Sequence, residues 1–97
     1  MSKVEKPEEF YAKLKERLQD TTLWPSEYLY KFIVKSDAEK VKKIETIFNH
    51  LKAVINKKES SNGKYTSVSI NVRMKNPDAV IAKYVEVTKK IEGVISL

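Results

Sequence analysis

Seven residues of this 97-residue chain have types and spacing suited to molecular recognition: Lys31, Ile33, Tyr65, Ser67, Ser69, Asn71 and Arg73. They recur at every second position in two stretches, so in extended chain each set projects to one side. Hydroxyls, an amide, two cations and a tyrosine offer hydrogen bonds and charge to a partner or ligand. They do not make a catalytic set. No nucleophile, base and oxyanion donor stand at plausible relative positions, and Gly63 and Gly93 are the only glycines, too few for a phosphate-cradling loop. The sequence therefore predicts a protein that is not an enzyme.

Metal and cofactor chemistry find little to work with. There is no cysteine, which excludes disulfides and thiolate ligands, and His50 is the sole histidine. No cofactor and no metal site is expected.

Two strands must carry the seven residues. In 28–35, Tyr28, Tyr30, Phe32 and Val34 alternate with Leu29, Lys31, Ile33 and Lys35, and Tyr30, Phe32 and Val34 are the expected core side. In 65–74, Thr66, Val68, Ile70, Val72 and Met74 alternate with Tyr65, Ser67, Ser69, Asn71 and Arg73. Asn62-Gly63 ahead of this strand suits a two-residue hairpin turn with positive φ at both positions. Residues 51–58 fit a helix extension or a strand, and the hairpin selects the strand. Ser61 then opposes Lys64, Ile55 opposes Ile70 and Ala53 opposes Val72. Lys57 falls opposite Val68 on the core side, so either it snorkels from an edge strand or a bulge shifts the frame.

Helices fill the intervals. Pro7, Glu8 and Glu9 suit a first turn, and Phe10, Tyr11, Leu14 and Leu18 form a stripe, predicting an amphipathic helix over 7–19 that Asp20-Thr21-Thr22 ends. Its stripe is expected to pack on its own domain, because mixed charges do not suit a membrane surface. Trp24, before Pro25, is expected to plug one end of the core, with a stacking platform as the alternative. Ser36-Asp37-Ala38-Glu39 reads as a capping box, with Ser36 the cap of a helix that buries Ala38, Val41, Ile44, Ile47, Phe48 and Leu51. Asn76-Pro77-Asp78 starts another helix, with Val80, Ile81, Tyr84, Val85, Val87, Thr88 and Ile91 as its apolar face; Gly93 stops it, and 94–97 form a last strand.

After the first helix the order is strand, helix, strand, strand, helix, strand. This is an α+β, ferredoxin-like β-α-β-β-α-β sandwich, a four-stranded antiparallel sheet with two helices on one face. The expected organisation is an N-terminal amphipathic helix and linker over 1–22, then the domain over 23–97. Residues 1–6 carry no apolar leader, so a cytoplasmic location is expected, and no run approaches a membrane span.

The net charge of +6 is concentrated in the body: residues 1–20 carry five basic and five acidic groups, the remainder fourteen against eight. Such a surplus attracts acidic proteins or nucleic acid, although solubility alone would also account for it. An RNA-binding sheet wants aromatic rings on its two central strands. Here Tyr65 supplies one, while Ser67, Lys31 and Ile33 hold the other places, so RNA binding is the alternative to a protein-interaction role.

The run Ser60-Ser61-Asn62-Gly63-Lys64-Tyr65-Thr66-Ser67-Val68-Ser69, with Trp24-Pro25 and the short last strand, resembles the YbeD-like family, small bacterial proteins of unknown function with an ACT-like fold. The resemblance covers about 18–97. It implies a regulatory module that pairs through its sheet or edge strands, homodimers included, and takes a protein partner or a small metabolite. The chain departs from the ACT pattern at Lys35-Ser36-Asp37, which lacks the glycine that lets a ligand approach the backbone. It also adds the helix over 7–19.

Overall fold

A computed structural model describes residues 7–96, and in it one sheet and three α-helices share a single core. Residues 1–6, on which the expectation about a leader rests, the side chains of Pro7 and Glu8, and Leu97 of the expected last strand lie outside the described residues. The elements are α1 (Pro7–Thr21), β1 (Ser26–Lys35), α2 (Ala38–Phe48), β2 (Val54–Glu59), β3 (Tyr65–Met74), α3 (Pro77–Lys90) and β4 (Ile95–Ser96), with a 3-10 turn at Asn49–Leu51. The sheet order is β2-β3-β1-β4 and every pairing is antiparallel, which is the ferredoxin-like topology.

Alternation in β1 and β3 produces the core directly. Tyr30, Phe32, Val34, Val68, Ile70 and Val72 are buried on the helix side, where they meet Ile44, Ile47 and Phe48 of α2 and Val80, Tyr84 and Val87 of α3. Fully burying a side chain such as Phe32 stabilises the fold by about 2–3 kcal/mol. Aromatic rings interlock at the centre: Tyr30 lies 5.0 Å from Phe48 and 4.9 Å from Tyr84, centroid to centroid. The buried hydroxyls are bonded, Tyr30 donating to the Val80 carbonyl at 2.9 Å and Tyr84 pairing with Tyr28 at 2.8 Å. Burial holds the Tyr30 and Tyr84 hydroxyls well above the usual tyrosine range, and for Tyr84 the Tyr28 hydrogen bond adds to it.

α1 docks on α3. Tyr11 stacks on Tyr84 at 6.4 Å, Lys15 pairs with Asp78 at 2.8 Å, and Trp24 donates its indole N–H to the Leu18 carbonyl at 3.1 Å while its ring packs on the core. Phe10 is the exception in the expected stripe, standing half exposed. The helix also runs through Asp20 and Thr21, where a stop was expected. The Thr21 hydroxyl bonds back to the Arg17 carbonyl at 2.7 Å and continues the last turn.

The end of α2 is tied to the middle of α3. Lys83 donates to the Ile47 carbonyl at 3.0 Å, satisfying a group the end of α2 leaves free, and it shares Glu86 with Lys90. The hydrogen bond from Lys90, then that from Lys83, holds the Glu86 carboxyl below its ordinary range against an opposing effect of burial.

Two local expectations are corrected. The cap of α2 is Asp37, whose carboxylate accepts from the Glu39 N–H at 2.9 Å; Ser36 instead pairs its hydroxyl with buried Thr66 at 2.9 Å. The hairpin loop also differs from a two-residue turn, since Gly63 alone of the pair has positive φ, at 72°. Gly63 N–H closes a turn onto the Ser60 carbonyl, and Ser60 N–H bonds to the Tyr65 carbonyl. The Asn62 side chain accepts from the Lys64 N–H and the Ser60 hydroxyl. Both loops have the same parity, so the pairing Ile55↔Ile70 stands. Lys57 does oppose Val68, and it snorkels from the edge to Glu45 at 3.2 Å with no bulge. In the helical faces, Ala38 and Thr88 are exposed, because each lies at the rim of its stripe.

Candidate functional site

The face of the sheet away from the helices is built by the odd-numbered residues of β1 and β3 and the even-numbered ones of β2. All seven sequence-predicted residues lie on it, and the register places them in rows across the strands. Lys31 stands beside Ser69 and Ile33 beside Ser67; on the far side Asn56 and Lys58 complete the rows of Ser69 and Ser67. Asn71 sits between Leu29 and Val54, Tyr65 beside Lys35, and Arg73 beside Glu27. Neighbouring strands are about 4.8 Å apart, so each row is one contiguous surface.

A polar spine of Ser67, Ser69 and Asn71 thus runs down the middle strand, with apolar and cationic flanks. The Ser67 hydroxyl makes a long 3.3 Å bond to the Lys58 carbonyl, and Ser67 and Ser69 are only half covered by their neighbours. Of the six large hydrophobics exposed among the described residues, four belong to this face: Leu29 at 60%, Val54 at 63%, Tyr65 at 44% and Ile95 at 51%. Its charges are equally one-sided. Lys31, Lys35, Lys58 and Arg73 face a single carboxylate, Glu27. Such a face can hold an anionic, partly apolar surface by charge, hydrogen bonds and displaced water.

The sequence reading singled out β1 and β3 but left Leu29, Val54 and Ile95 out of the site. Parity assigns Leu29 to this side at once, whereas Val54 and Ile95 become visible only through cross-strand register. Elsewhere on the surface, a shallow cavity of about 640 Å³ lies between α2 and β2, bounded by Asp37, Lys42, Glu45, Lys57 and Lys58. Among the described residues no group of three or more His, Cys, Asp or Glu could hold a metal ion, and no helix is long and apolar enough to cross a membrane.

Fold and surface together define a small α+β, ferredoxin-like domain with an uncovered sheet face. The chain belongs to a family of proteins of unknown function, DUF493, whose model spans residues 19–96. That match begins inside α1, so most of this helix lies outside it. No curated protein and no solved structure matches the chain.

Proposed function

We propose that this domain is a non-enzymatic regulatory or interaction module that binds an acidic protein surface through the open face of its sheet. One observation carries the reading: four of the six exposed large hydrophobics share that face with four cations and one carboxylate. Core packing accounts for the helix side of the same strands and leaves this side without a reason of its own. Two copies of the face would set cations against cations, so an acidic partner fits better than its own duplicate.

The finer assignment belongs to the same proposal: a YbeD-like, ACT-like regulatory domain of the bacterial cytoplasm. It is supported by the Ser60-to-Ser69 run and by the strand order. RNA binding is less well supported, because Tyr65 is the one ring on the face and stands in its last row.

The test is site-specific crosslinking in the native cell from position 69, repeated with Lys31→Glu and Arg73→Glu combined. The expected result is a defined protein adduct that the charge-reversed variant loses, with the melting temperature within about 4 °C of wild type, as surface changes generally allow. An adduct that survives charge reversal contradicts the proposal. So does salt-sensitive binding of single-stranded RNA that is lost on Tyr65→Ala.

A further inference from the structure

The chain has five asparagines, and one differs chemically from the rest. Asparagine is a labile residue, because the main-chain nitrogen of the residue after it can attack its side-chain carbonyl carbon. After Asn49, Asn56 and Asn71 come His50, Lys57 and Val72, each with a side chain beside the attacking nitrogen, and after Asn76 comes Pro77, which has no N–H. Asn49, Asn56 and Asn71 are further held in a 3-10 turn or a strand. Asn62 alone precedes a glycine, and it lies in the loop between β2 and β3. Asn62 and Gly63 are both exposed, and a β-carbon added at Gly63 would meet nothing within 4 Å, so the nitrogen is open to solvent.

The closed hairpin holds both reacting groups back. Gly63 N–H, which must lose its proton before the nitrogen attacks, donates to the Ser60 carbonyl at 2.9 Å. The Asn62 Oδ1 accepts from the Ser60 hydroxyl at 2.9 Å and from the Lys64 N–H at 3.0 Å, which fixes the side chain. Ser60 is the hub of the loop, since its hydroxyl oxygen also accepts from the Tyr65 N–H at 3.1 Å. Bonds as exposed as these open locally while the core stays folded.

We infer that Asn62 is a site of self-modification, its amide giving way to a carboxylate at a rate that opening of the hairpin sets. When the loop opens, hydroxide removes the Gly63 N–H proton and the nitrogen attacks Asn62 Cγ. The new N–Cγ bond closes a succinimide ring, the Cγ–Nδ2 bond breaks, and the amide nitrogen leaves as ammonia, taking a proton from water and returning the hydroxide. Water then opens the ring. Attack at Cγ gives aspartate; attack at the main-chain carbonyl gives isoaspartate, with the chain running through the side-chain carbons. One water enters and one ammonia leaves, and nothing is oxidised or reduced. The two products differ in the fold. Aspartate keeps an oxygen for Ser60 and Lys64 and adds a negative charge to the loop. Isoaspartate adds a main-chain atom to a loop whose length sets the pairing Glu59↔Thr66, so the hairpin no longer closes as before. The chemistry needs no partner and stands independently of the open face.

The test keeps full-length protein for weeks in mildly alkaline buffer made with heavy-oxygen water, beside a sample denatured in guanidinium chloride, and reads tryptic peptides by mass spectrometry after digestion in ordinary water. In the folded sample conversion is expected at position 62, to aspartate and isoaspartate that each carry one oxygen from solvent, with the other four asparagines unchanged. The denatured chain is expected to convert about tenfold faster or more. Ser60→Ala speeds the folded chain about three- to tenfold, the size of one hydrogen bond lost, while Ser60→Thr, which keeps the hydroxyl, stays near the wild-type rate. A folded chain unconverted when the denatured one is fully converted overturns the inference. So does equal conversion at a second asparagine, a rate that is the same folded and denatured, or a rate that Ser60→Ala leaves unmoved.

Discussion

The two faces of β1 and β3 are made by the same backbone and differ in one respect, the parity of the residue number. On the even side, Tyr30, Phe32, Val68 and Ile70 are fully buried, and no buried side-chain nitrogen or oxygen among the described residues lacks a hydrogen-bond partner. On the odd side, Leu29 and Tyr65 are apolar and exposed, and Lys31 and Arg73 are charged without an ion pair of their own among the described residues. Stability explains the first pattern. It does not explain the second, since a solvated sheet face needs no exposed leucine, valine and isoleucine rimmed by lysines. The contrast separates what the fold requires from what a partner would require.

The largest expected effect falls on the even side. Phe32→Ala removes a ring between Tyr30, Phe48 and Tyr84 and is expected to cost about 3–5 kcal/mol, a large part of the stability of a domain this size. Urea unfolding measures it, and a loss under about 1 kcal/mol would mean the core is not where the alternation puts it.

Next comes alkaline pH. Tyr30 and Tyr84 ionise less readily folded than unfolded, so their stabilising contribution is whole below about pH 10, where unfolded tyrosine titrates, and is lost as pH rises above it. Melting temperature is expected to fall steeply above about pH 10, and less steeply in Tyr84→Phe. A flat profile would contradict the burial of these hydroxyls.

The smallest effect sharpens the comparison at its one irregular position. Lys57 has even-side orientation but reaches water, held only by Glu45. Lys57→Ala is expected to change stability by less than about 0.5 kcal/mol, as exposed ion pairs do, and a chemical melt would reveal a larger share in the core.

Much of this was legible because a two-residue period fixes face and register together: Ile55 opposite Ile70 followed from counting back through the hairpin. The loop itself was not, because the Asn62 side chain supplies bonds that let Gly63 alone take the left-handed conformation. Ser36 and Asp37 are both capping types, and the choice between them is made by Thr66, thirty residues away in sequence. For the same reason the candidate face was only half read. Leu29 follows from its own strand, but Val54 and Ile95 join it through pairings that local sequence does not encode.

The most direct measurement is an alanine scan along β3, from Tyr65 to Met74, scoring melting temperature and, with the crosslinking group moved to position 31 beside Ser69, the crosslinked partner for every variant. Two sawtooth profiles in antiphase are expected. Even positions such as Val68 and Ile70 lose about 8 °C or more, at about 4–8 °C per kcal/mol, while Ser67, Ser69 and Asn71 keep their stability and lose the adduct. Profiles that fall together at the same positions would contradict the account, because the odd face would then serve only the fold.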